Sequence, residues 1–169
     1  MNKLSSRYKY AFKLSSRDHD SMIRAMKDKV KKDPAVREKF EEYGIPIDEI
    51  DNIHVEFQKL PVSAKTKNMK IYLNVAMLDD DSDVDDPSMY LAHEVVHYLQ
   101  QKSGNTEGHN AVDEYLDKPT EEEAFQVQVE YKERNEGESA AEKYVEDLLS
   151  HHDYEGKDRE EKKKELMDT

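Results

Sequence analysis

The stretch Asp86-Pro87-Ser88-Met89-Tyr90-Leu91-Ala92-His93-Glu94-Val95-Val96-His97-Tyr98-Leu99-Gln100-Gln101-Lys102 decides how the rest of the chain is read. Asp86 is a strong helix cap, and Pro87 suits a first helical position, where its missing N–H costs nothing. The pattern predicts an amphipathic helix over about 87–102, closed by Ser103-Gly104. His93 and His97 stand four residues apart, so on a helix they lie about 40° apart around the axis and one turn apart along it. Both imidazoles can then reach one tetrahedral metal ion from the same face. Glu94 projects beside that face without sharing it. There it can take a proton from water while staying out of the ligand set.

Working outward, an acidic loop at 79–86 separates this helix from residues that read as strand. Met69, Ile71, Leu73, Val75 and Met77 alternate with polar or small neighbours, as do Ile53, Val55 and Phe57, with a turn at Pro61 between the two runs. Earlier, Met22, Ile23, Met26 and Val30 recur at helical spacing within 18–32, and Asp33-Pro34 opens a short helix to Tyr43 that stops at Gly44. Downstream, a polar loop from Asn105 to about Lys118 leads to a helix over about 121–135, for which Thr120 and Glu123 have capping-box spacing. A further helix is predicted from Ser139 to about Leu149. The order gives an α+β fold, a short sheet followed by helices. Residues 1–16, in which Lys-Leu-Ser-Ser-Arg begins at Lys3 and again at Lys13, form an N-terminal arm. Residues 17–152 form one domain. Residues 153–169 are a charged tail, expected to lie exposed or disordered because it lacks an apolar stripe.

Composition narrows the function. Of 169 residues, 36% are hydrophobic and 38% charged, which is enough apolar material for one core and not for two. A formal charge of −13 opposes nucleic-acid phosphates and anionic membrane surfaces, and matches a basic peptide or protein instead. The absence of cysteine excludes disulfides, thiolate metal sites and cysteine nucleophiles, so zinc would have to be held by His, Asp or Glu. No stretch approaches a membrane span and the first residues carry no apolar signal segment, which predicts a cytoplasmic protein.

Catalytic zinc keeps three protein ligands and an open fourth position, and the third ligand separates the zinc hydrolases. The metzincin pattern would need Gly and His at positions held here by Gln100 and Ser103, and a peptide deformylase would need a cysteine. A glutamate from a second helix remains, and Pro119-Thr120-Glu121-Glu122-Glu123-Ala124 offers one. His-Glu-x-x-His followed by a helix with Glu-x-x-Ala resembles the gluzincin group of zinc metallopeptidases, most of all its small single-domain bacterial and phage-encoded members. The resemblance covers about 69–130. It implies a zincin-like catalytic domain with one zinc per chain on His93, His97 and Glu121, where Ala124 allows close helix approach, and Glu123 as the fallback ligand. It implies Glu94 as the catalytic base and peptide bonds as the substrate. It also implies a Tyr or His donor at the developing oxyanion, for which Tyr115 and His109 are candidates, and an edge strand for extended substrate, which strand 69–77 resembles.

Two other functions fit parts of the sequence: a zinc protein that no longer catalyses and whose metal staples helices, and an acidic inhibitor that mimics DNA. Glu94 speaks against the first, and the paired histidines against the second. The acidic loop fails as a calcium-binding EF-hand, because counting from Asp81 puts Asp86 at the glycine position and Ala92 at the bidentate glutamate. His151-His152 and His54 read as exposed residues without a ligand role. The 10 tyrosines, spread along a chain without tryptophan, suggest packing rather than base stacking.

Overall fold

The computed structural model describes residues 16–79, 82, 84, 86–104 and 118–167. Residues 1–15 of the N-terminal arm and the loop carrying His109 and Tyr115 lie outside the described residues, as does much of the acidic loop. Among the described residues, six α-helices and three strands make an α+β fold, rich in helix with a small mixed sheet. Helix α1 (Ser16–Lys31) buries the expected stripe of Met22, Ile23, Met26 and Val30. Helix α2 (Pro34–Glu42) starts on Asp33, whose carboxylate accepts from the backbone N–H groups of Ala35 and Val36 at 3.1 and 3.2 Å. Arg134 forks onto the same carboxylate at 2.7 and 2.8 Å, tying the start of α2 to a helix a hundred residues away.

Strands β1 (His54–Gln58), β2 (Ala64–Lys67) and β3 (Lys70–Asn74) are ordered β1-β3-β2, with β1 parallel and β2 antiparallel to β3. Two expectations change here. The strand expected over 69–77 ends at Asn74, because the Asn74 side chain accepts from the N–H of Ala76 and turns Val75–Leu78 into a 3₁₀ turn. That strand is also the middle of the sheet, not its edge. The edges are β1 and β2, and β2 is a strand absent from the expected elements because Ala-Lys-Thr-Lys carries no apolar alternation. A two-residue turn creates it: Asn68 and Met69 both take the left-handed conformation, with φ of 52° and 61°, as a tight hairpin of this twist requires.

Helix α3 (Ser88–Lys102) carries His93, Glu94 and His97. The stretch 91–100 is buried without interruption, so α3 is a central helix packed against α1, α2, β2, β3 and α4 rather than a surface helix with one wet face. Pro87 sits one position outside the first helical residue. Asp86 still serves the helix end, accepting from the Ser88 N–H at 3.0 Å and the Ser88 hydroxyl at 2.7 Å while paired with Lys29.

Helix α4 (Pro119–Glu136) begins two residues before the expected start, and the capping box does not form. Thr120 lies inside the first turn with its hydroxyl buried and without a partner among the described residues, and Glu123 reaches elsewhere. Gly137, at φ 97°, turns the chain into α5 (Glu138–His151). Most residues of the charged tail are exposed, as expected, but the tail is helical and packed onto the domain. Helix α6 (Gly156–Met167) folds back on α4 and α5 and seats Leu166, fully buried, in a second core cluster with Phe125, Val129, Ala141, Val145, Leu149 and Tyr154. One leucine replaces the missing stripe, and Lys162 is carried inward by pairing with Glu122 and Glu165. No helix among the described residues is long and apolar enough to cross a membrane.

Candidate metal centre

The α3–α4 contact defines the site. Ala124, with no exposed surface, lets the first turn of α4 approach α3 closely enough for Glu121 to reach the two histidines. His93 Nε2 and His97 Nε2 lie 3.1 Å apart, and Glu121 Oε1 lies 3.1 Å from the first and 3.0 Å from the second. Three donor atoms at tetrahedral positions, each about 2.0–2.1 Å from a zinc ion, stand roughly 3.3 Å apart. The observed triangle is nearly equilateral and only slightly tighter, so these residues fit such an ion. His93, Glu94 and His97 are all buried, and their ligand-type atoms cluster within 4.8 Å of one another, a group able to hold a metal. Glu94 stands off, with its nearer oxygen 3.8 Å from His93 Nε2.

The histidines are held differently. His97 Nδ1 lies 2.7 Å from the side-chain oxygen of Gln100, a contact that places the ring proton on Nδ1 and leaves the Nε2 lone pair for a metal. Gln100 is itself fixed, donating to the Thr120 carbonyl and to Glu123 Oε1, both at 2.9 Å. Glu123 also accepts from the Tyr43 hydroxyl at 2.7 Å and lies 3.5 Å from Lys39 Nζ. The fallback ligand therefore points away from the histidine pair and anchors the residue that orients one of them. His93 has no such support: its Nδ1 is buried without a partner among the described residues, and its ring is set by edge contact with Phe125 at 4.5 Å between centroids.

Charge reinforces the cluster. Burial alone would push the His97 imidazole down, but the hydrogen bond and charge of Glu121, with Glu94 adding to them, raise it to about 9. Burial would likewise raise the Glu121 carboxyl, and the two histidines outweigh it, holding the group far below the usual carboxylate range. Without metal, His97 and Glu121 thus form an ion pair within the same cluster.

A cleft of about 700 Å³ opens on His93 and Glu94. One wall is Pro61–Ala64, leading into β2. The other is α5 with Tyr144, Asp147, Leu148 and His151, continued by His152 just past its end, and Phe125 and Gln128 also line the cleft. His151 is exposed as expected, whereas His152 is half-buried, and both face the cleft that holds the motif. His54 is exposed and contacts Glu56. Thr66, Gln100 and the α5 wall have no motif of their own and gain a role only through the packing. Thr66 Oγ1 lies 2.9 Å from Glu94 Oε1, so the edge strand touches the candidate base directly.

No protein-family model, curated protein or solved structure matches the chain. The functional reading therefore rests on the geometry of these residues.

Proposed function

We propose that this protein is a zinc-dependent metallopeptidase of gluzincin-like design, with a zincin-like arrangement of sheet and site helices. The observation that carries the reading is the triangle of His93 Nε2, His97 Nε2 and Glu121 Oε1, with Glu94 beside it and outside it. His93, His97 and Glu121 would hold the ion. When bound, zinc acts as a Lewis acid that polarises the carbonyl under attack and makes water nucleophilic at neutral pH. Glu94 takes the proton from the attacking water and hands it to the leaving amine, and Thr66 holds the carboxylate in the orientation this needs. The site is open to a cleft lined by both apolar and polar groups, which suits a substrate and would serve no purpose in a metal that only staples helices.

A Glu94→Gln variant tests the reading. Zinc content unchanged from wild type, with cleavage of a mixed-sequence peptide pool abolished, is the expected result. Cleavage that survives the substitution would remove Glu94 from the chemistry. A wild-type protein that takes up no zinc when it is offered would leave the histidine pair without a metal role.

A further inference from the structure

The strongest departure from the chain's average lies next to the cleft. Residues 57–78 hold Lys59, Lys65, Lys67 and Lys70 and no Asp or Glu, in a chain with 39 acidic residues and a net charge of −13. All four lysines are exposed, and none pairs with a carboxylate among the described residues; Lys65 lies over the Tyr72 ring instead. Among the described residues, the large hydrophobic ones that stand exposed are Val62 and Met69, at 51% and 47%, and they bracket β2 on either side. A surface carrying unpaired cations and exposed apolar side chains along an edge strand has the chemistry of a binding surface, not of a solvated one.

The register says what would fit. Lys67 pairs with Lys70 across the two-residue turn, so the backbone groups of Thr66 and Ala64 point away from β3 toward the outer edge. Gln101 Nε2 already donates to the outward Thr66 carbonyl at 3.0 Å, so pairing with a peptide falls to the outward groups at the Ala64 end, which runs into the cleft wall. Lys65 and Lys67 project from the outer face of the sheet, while Ala64 and Thr66 face the helices. A polypeptide laid along β2 would thus set alternate side chains beside Lys65 and Lys67 while its backbone passes over Glu94.

We infer that β2 and its flanks bind an extended, acidic polypeptide segment, with carboxylates at alternate positions beside Lys65 and Lys67 and apolar side chains against Val62 and Met69. This names the substrate class of the proposed peptidase and rests on that reading for its link to cleavage. It runs against the basic partner that the net charge suggests, because contact is decided by local charge once molecules are closer than the screening length, about 8 Å at physiological salt.

The test uses the full chain as the zinc-loaded Glu94→Gln variant, so that binding is read without turnover. Two fluorescein-labelled ten-residue peptides are compared by anisotropy at low salt, identical except for Glu or Lys at alternate positions. The Glu peptide should bind on the order of tenfold more tightly, as expected for two opposed charge pairs on adjacent strands. Adding Lys65→Glu and Lys67→Glu together should reverse the order, with circular dichroism and zinc content unchanged. Equal binding of the two peptides, or a preference that survives the charge reversal, overturns the inference. Preference for the Glu peptide in a protein whose wild type cleaves neither peptide nor any member of a mixed pool would uphold this surface and remove the peptidase reading instead.

Discussion

Thr66 reaches Glu94 twice: its hydroxyl oxygen lies 2.9 Å from the carboxylate and 3.1 Å from the backbone carbonyl of the same residue. A hydroxyl has one proton, so it serves one acceptor at a time. It can donate to Oε1 while Glu94 is ionised and turn to the carbonyl once the carboxyl carries a proton. Thr66→Val keeps the shape and removes this switch. The expected result is full zinc content with turnover reduced by about tenfold, a fraction of what general acid–base catalysis contributes. Equal turnover in the variant would show that packing alone positions Glu94.

The ligand set and its support should separate cleanly. His97→Ala and Glu121→Ala should each abolish stoichiometric zinc, measured by elemental analysis after dialysis. Glu123→Ala should retain it, because Glu123 holds Gln100 and not the metal. Gln100→Leu, which frees His97 Nδ1, should weaken zinc about 10- to 100-fold in competition with a chelator, the usual effect of losing the partner of a metal-binding histidine.

Metal removal should give a protein whose stability depends on pH in a defined direction. In the metal-free chain His97 is raised from 6.5 to about 9 by Glu121, so its contribution is complete below about 6.5 and fades as pH rises through about 9. Glu121 is depressed, so its own contribution is present above its ordinary value of 4.5 and fades only in acid. The melting temperature of the chelated protein should therefore fall from pH 6.5 to 9, and the rise on adding zinc should grow over the same interval. A rise that stays constant across that range would mean that the ion pair does not form.

Leu166→Ala removes a fully buried side chain from the cluster that also holds Phe125 and Val129. A loss of about 2–4 kcal/mol is expected in denaturant unfolding. Zinc affinity should fall with it, since Phe125 packs on the His93 ring. Unchanged stability would mean that α6 is not part of the cooperative unit.

How much of this was legible beforehand depended on the kind of signal. His93, Glu94, His97 and Glu121 could be named from spacing and resemblance, because a helix converts sequence separation into direction without help from the rest of the fold. Asp33-Pro34 and the 22, 23, 26, 30 stripe were legible for the same reason. The β2 strand was not, since Ala-Lys-Thr-Lys forms it only through the Asn68-Met69 turn and the partner strand β3. The position of β3 in the sheet was hidden with it. Helix α6 was hidden because a single leucine does the work of a stripe, and Glu123 was hidden because its direction depends on Gln100 and Tyr43, which are distant in sequence. Tyr115 and His109 lie outside the described residues.

The placement of α6 has a consequence for the order in which the protein can be made. Phe125 sets the His93 ring, Phe125 and Val129 share their core with Leu166, and Leu166 lies far downstream of Glu121. A nascent chain that has emerged only as far as α5 carries every proposed ligand and the base, yet leaves one side of α4 uncovered. Competence at the proposed metal centre would wait until Leu166 has emerged and closed the second core, so a nascent chain that stops short of α6 would lack the proposed activity.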